Sequence, residues 1–97
     1  NPFAGMAAAI SREGADGNPF GGWMPAERVS REIALAGYTT AAAFAGMAED
    51  RIGSLTPGHR ADFLLLDGDP MEVSPAALRA MTVQESWIAG KRVFVRK

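Results

Sequence analysis

The sequence predicts an α+β chain, helical in its front half and carrying about three strands in its back half. Three observations carry that expectation. Apolar residues recur at helical spacing near the start. The stretch from Ser30 to Met47 is rich in helix formers set between capping residues. After Arg51 the pattern changes to short apolar runs bounded by Gly, Pro and Asp.

From Pro2 to Arg12, the residues Phe3, Met6, Ala7 and Ile10 fall at i, i+3, i+4 and i+7, the stripe of an amphipathic helix. Gly14 to Gly22 reads as loop, because Gly, Asn and Pro punctuate it; composition is compatible with a folded-over loop or a mobile one. Ser30 is placed to cap a helix running to about Tyr38, with Glu32 in the favourable first turn, and Gly37 either weakens that helix or ends it. Thr39 or Thr40 caps a second helix through Met47. Its alanines fit either close approach to another element or simple helix propensity.

Asp62 to Asp67 brackets a continuous apolar strand, Phe63-Leu64-Leu65-Leu66, which predicts cover on both faces. Ser74 and Pro75 start a short helix ending near Ala80. Strands follow at about Val83–Ile88 and at 91–96, joined by Ala89-Gly90, where Gly90 supplies the positive φ of a tight hairpin. A two-residue loop puts Ile88, Val93 and Val95 on one face and Trp87 and Phe94 on the other, unless a bulge shifts the register.

Bulk properties bound the function. The chain has 97 residues, 47% apolar and 22% charged, as in an ordinary globular domain. Ten basic and eleven acidic residues leave a net charge of −1, so there is no general pull toward nucleic acid or anionic lipid. There is no cysteine, which removes disulfides, cysteine-based zinc sites and thiol nucleophiles, and favours a cytoplasmic location without fixing it. No apolar run approaches the roughly 20 residues of a bilayer span. The start at Asn1-Pro2-Phe3 predicts that the chain is cut from something longer.

Candidate chemistry is sparse. One histidine, His59, makes His-x-His and His-Glu-x-x-His patterns impossible here, and its place after Pro57-Gly58 predicts a solvated turn residue. Glu49-Asp50 reads as a charged helix terminus, and Asp67-Gly68-Asp69-Pro70 as turn chemistry too short for a calcium loop. No Gly-x-Ser-x-Gly elbow occurs. Residues 30–48 have the outline of a helix–turn–helix, but from Thr39 to Ala48 there is no Arg, Lys, Asn or Gln to read base edges.

The run Glu49 to Asp67, containing Gly53-Ser54-Leu55-Thr56-Pro57-Gly58-His59-Arg60-Ala61-Asp62-Phe63, resembles the C-terminal signature of the amidohydrolase superfamily, G-x-(I/L)-x-x-G-x-x-A-D-(F/L). Ser86 to Val93 is similar to that family's closing hairpin. Asn1-Pro2-Phe3, Arg12, Gly21-Gly22-Trp23, Tyr38-Thr39 and Ala42-Ala43 resemble its YtcJ-like branch, so the resemblance runs almost end to end.

The resemblance implies a (β/α)₈ barrel with its active site at the C-terminal face of the strands and a small β-sandwich built from both chain ends. It implies one or two divalent metals, most often zinc, activating water to hydrolyse C–N bonds other than peptide bonds. It places residues 1–50 at the helical end of the catalytic barrel (the last barrel helix and connecting helices). Residues 51–97 then form strands of the non-catalytic sandwich. The family's metal ligands lie upstream, the last a few residues before the segment matching Asn1-Pro2-Phe3. No catalytic, cofactor-binding or metal position therefore maps onto this chain, and the resemblance gives His59 no catalytic role. The expectation is an enzyme as a whole and an inactive, cofactor-free piece in isolation, partnered by the rest of its barrel. The alternative is a structural module that self-associates through exposed strands. Neither nucleic acid nor membrane is an expected partner.

Overall fold

Asn1 begins the first element. Its Oδ1 accepts from Phe3 N at 3.0 Å, Pro2 takes the first helical position, and α1 runs Pro2–Ser11. Arg12, at φ 59°, turns the chain out of the helix, its N–H bonded to the Ala8 carbonyl. This is a computed structural model, and it describes residues 1–97.

Beyond a short 3₁₀ turn at Pro25–Glu27 come α2, Arg31–Tyr38, and α3, Thr40–Ala45. Ser30 caps α2 as expected, its Oγ accepting from Ile33 N at 3.2 Å. Gly37 lies inside α2 and does not end it. The helix α3 stops at Ala45, short of the expected Met47. Gly46 N turns back to the Ala42 and Ala43 carbonyls, and Met47 adopts φ 58°, which reverses the chain. The fourth helix, α4, is Pro75–Arg79, with Ser74 Oγ accepting from Ala77 N at 3.1 Å.

Strands β1 (Phe63–Leu66), β2 (Val83–Ile88) and β3 (Lys91–Val95) form one antiparallel sheet in the order β1-β2-β3. The α+β class and the three strands therefore stand as expected. The connection at Ala89-Gly90 has positive φ at both residues, 52° and 76°, the requirement of a type I′ hairpin, so Ala89 shares the role expected of Gly90 alone.

Two expectations about the sheet are corrected. Trp87 pairs with Arg92 but Ser86 pairs with Phe94, so Val93 is an extra residue in β3 and a bulge separates the two halves of the hairpin. Cross-strand partners share a face; Val95, opposite Glu85, therefore joins the Trp87 side, and Phe94 leaves it for the Ser86 side. Nor is β1 covered on both faces, since Leu64 and Leu65 are each close to half exposed. A four-residue apolar strand in this chain lacks the layers that such composition anticipates.

The chain divides into two compact units that interleave along the sequence: Asn1–Leu35 with Gly68–Met81, and Ala36–Asp67 with Thr82–Lys97. In the first, α1 packs on α4, and Phe3, Met6, Ala7, Ala34, Leu78 and Met81 are buried. The α1 stripe read from the sequence supplies three of these. Arg79 Nη2 donates to the Glu13 carbonyl at 2.8 Å, and Arg31 Nη1 to the Pro70 carbonyl at 2.8 Å. In the second, Ala43 is buried against Gly53, and the Phe63 and Trp87 rings stack at 5.5 Å. Ala43 thus realises the close-approach reading of the alanine-rich helix, whereas Ala41, Ala42 and Ala45 face solvent.

Candidate functional site

The end of α3 and the turn before β1 build a cleft that gathers chemistry-bearing side chains. Ala48 is buried behind the Met47 reversal, with its N–H on the Ala43 carbonyl at 2.8 Å. The chain then rises through Arg51 and Ile52, crosses Gly53, and returns through a turn in which His59 N bonds the Thr56 carbonyl at 3.0 Å. Arg60 N closes the excursion on the Arg51 carbonyl at 2.7 Å. The result is a cavity of about 530 Å³ lined by Ala48, Arg51, Ile52, Gly58, His59 and Arg60.

His59 is a turn residue, as its sequence position predicts, but it is half-buried rather than freely solvated. Its Nε2 lies 2.9 Å from the Glu49 carbonyl oxygen. A carbonyl only accepts, so Nε2 carries the hydrogen and Nδ1 is the nitrogen left for other partners. Nothing in the local sequence signals that bond, because it depends on where the turn places His59 relative to the helix end. Arg60 forks onto Asp62 through Nε and Nη2. Asp62 Oδ1 also accepts from Ala89 N at 2.9 Å, and Gly90 N bonds the Ala61 carbonyl at 2.9 Å, so this segment holds the hairpin turn. The Arg60 bonds first, and the Ala89 N–H second, hold the Asp62 carboxyl below its ordinary range.

The other candidates read from the sequence are engaged locally. Asp67 accepts from Thr82 N at 2.9 Å and from Thr82 Oγ1 at 2.8 Å, which lowers its pKa, and Asp69 Oδ1 accepts from Met71 N at 2.8 Å. Both are turn-forming carboxylates, in keeping with their spacing. Glu85 accepts from Trp87 Nε1 and pairs with Arg92 at 3.0 Å; these two bonds, in that order, lower its pKa. Glu49 and Asp50 are exposed. Asn1, Pro2 and Phe3 cap, start and anchor α1.

The Gly14–Gly22 loop is folded over on itself. Gly14 N bonds the Asn18 carbonyl at 2.9 Å, and Gly21 N bonds Glu13 Oε1 at 2.8 Å. Arg12 and Trp23 clamp its base through Trp23 N to the Arg12 carbonyl at 2.9 Å, Arg12 Nε to the Trp23 carbonyl at 3.0 Å, and the guanidinium 5.0 Å from the ring centre. The loop displays Phe20 almost fully to solvent.

This arrangement brings no three His, Asp or Glu side chains together as metal ligands. No helix is long and apolar enough to cross a membrane.

Comparison with known proteins gives a consistent picture. The amidohydrolase family (Amidohydro_3) matches residues 1–94. The N-substituted formamide deformylase of Arthrobacter pascens is 33% identical over 90 residues, 93% of this chain and 16% of that protein. A Bacillus subtilis (strain 168) protein named YtcJ is 27% identical over 94 residues, 97% of this chain and 18% of that protein. An amidohydrolase from Thermotoga maritima MSB8, known from its crystal structure, superposes with a TM-score of 0.62 at 30% identity, covering 74% of this chain and 17% of the other. The chain thus spans less than a fifth of the length of each of these three relatives.

Proposed function

Because this chain belongs to the amidohydrolase family, we propose that it serves as the C-terminal, non-catalytic part of a metal-dependent hydrolase acting on C–N bonds other than peptide bonds. The supporting observation is its donor chemistry. A hydrolytic divalent metal takes three or four His and carboxylate ligands around an open position. Here one imidazole is available, its Nε2 directed at the Glu49 carbonyl, and no group of three donors converges. The residues present do not fit such a metal, so no catalytic step is assigned to them. The metal, zinc by preference, and the water it activates belong to the remainder of the protein. The likeness to an N-substituted formamide deformylase supports a C–N substrate.

In this reading residues 1–50 close the catalytic barrel, and residues 51–97 contribute strands to a sandwich completed by other parts of the protein, which is the principal partner. The imbalance of apolar surface supports it. Eight apolar residues are buried, while fourteen large hydrophobic ones are exposed, six of them on the sheet: Leu64, Leu65, Ile88, Val93, Phe94 and Val95.

The decisive experiment compares the 97-residue chain with the complete protein, each supplied with zinc, using N-substituted formamides. Hydrolysis by the complete protein, its loss on chelation, and none by the chain are the expected results. Tight stoichiometric zinc binding and turnover by the chain itself would overturn the proposal.

The exposed sheet favours one second reading. Acting alone, the chain would self-associate through β1 or β3, whose outer edges carry unpaired backbone groups. A monomer by sedimentation at tens of micromolar excludes it.

A further inference from the structure

The cleft at Arg51, His59 and Arg60 is not accounted for by a scaffold role. Every ionisable group lining it is basic. The bond from Arg60 N to the Arg51 carbonyl, at 2.7 Å, makes these two residues neighbours although they are nine positions apart in the chain. Arg60 has Asp62, which engages its Nε and Nη2 and leaves Nη1. The Arg51 guanidinium makes no hydrogen bond or ion pair with the chain.

Of the carbonyls on the cleft wall, that of Ala48 accepts from the Arg51 and Ile52 N–H groups and that of Arg51 accepts from Arg60 N. The Glu49 carbonyl accepts from His59, and Glu49 does not line the cleft. Gly58, at φ 94° with open space where a side chain would stand, leaves the mouth unobstructed.

We propose that this cleft binds a phosphate-class oxyanion between the Arg51 and Arg60 guanidiniums. Arginine forks suit tetrahedral oxyanions, which accept two parallel N–H bonds from one guanidinium. His59, whose Nε2–H is committed to the Glu49 carbonyl, forms part of the wall beside the two arginines. The cavity, at about 530 Å³, is larger than a free phosphate requires, and Ala48 and Ile52 give it an apolar wall. A phosphate monoester with a small apolar group fills it better than inorganic phosphate. The proposal does not depend on the amidohydrolase reading, because no residue of the cleft is assigned to hydrolysis.

The test is calorimetric titration of the protein expressed in full with inorganic phosphate and with phenyl phosphate, at constant ionic strength set by sodium chloride. Saturable binding in about the millimolar range is expected, with phenyl phosphate the tighter. Equal affinity for the two would still support the oxyanion site and show that the apolar wall adds nothing to binding. Arg51→Gln should weaken both by about tenfold or more, while Arg28→Gln, at a residue that does not line the cleft, should leave them unchanged. Equal weakening by the two variants, or no binding beyond the chloride control, overturns the proposal. Should Arg51→Gln fold poorly, amide chemical shifts of the unmodified protein decide. Saturable changes confined to residues 48–60 support the site, and changes elsewhere or none refute it.

Discussion

Single residues decide much of the geometry here, and glycine at position 53 is the clearest case. It sits at φ 97°, and a β-carbon there would lie 2.7 Å from the Ala43 side chain and 3.0 Å from the Thr39 carbonyl oxygen. Gly58 has nearly the same φ, 94°, but open space around it. Gly58→Ala should therefore cost only the backbone strain, about 1–2 kcal/mol, whereas Gly53→Ala adds an overpacking penalty of about 1–3 kcal/mol. Urea unfolding of the two variants side by side measures the difference. The carboxylates make a second residue-level prediction. Asp62, Asp67 and Glu85 all have folded pKa values below their ordinary ones. A depressed carboxyl contributes stability that is fully present above its unfolded value and is lost as pH falls through its folded value. Stability should hold from neutral pH to about 4.5 and decline below that. Asp62→Asn should lower the melting temperature at pH 7 and converge on the unmodified protein in acid; a constant offset across pH would contradict the assignment. Much at this scale was legible: Ser30, Ser74 and Pro75 announce helix starts by their chemistry. The positive φ values at Arg12, Met24, Met47 and Ala89 were not, because these residue types carry no preference for that conformation and tertiary closure imposes it.

Among the elements, the α1–α4 contact has the firmest core. Leu78 is fully buried and Met6 nearly so. Leu78→Ala should destabilise by about 3 kcal/mol, in the range for buried leucines, and a loss below about 1 kcal/mol by chemical denaturation would show that the site collapses around the vacancy. The helical stripe of α1 could be read from spacing alone, because a 3.6-residue period leaves one solution for the buried face. The hairpin could not be read as completely. Its turn residues fixed a two-residue loop, but the bulge at Val93 has no composition signal. One extra residue was enough to move Val95 and Phe94 to opposite faces from those expected. The cleft was equally hidden: Arg51, His59 and Arg60 look like unremarkable surface residues until backbone bonding draws them together.

For the molecule as a whole, the apolar surface left on the sheet is the property with consequences in solution. Leu65→Lys should shift the 97-residue chain toward monomer in sedimentation velocity, and an unchanged distribution would show that the sheet takes no part in association. The family was legible because Gly53, Leu55, Gly58, Ala61, Asp62 and Phe63 stand at the signature's spacing in one unbroken run. The interleaving of the two units was not legible, since no linker marks it: the chain passes from one to the other at Leu35–Ala36, Asp67–Gly68 and Met81–Thr82. That interleaving gives the paired bonds between Asp67 and Thr82 a role beyond finishing two strands. They hold shut the two ends of the segment that carries α4. Closing such a loop in a free chain costs about 2 kcal/mol of entropy. Pairing β1 with β2 therefore spares α4 that search, so a lesion at Asp67 should loosen α4 and the α1 core it completes through the freedom of the chain alone.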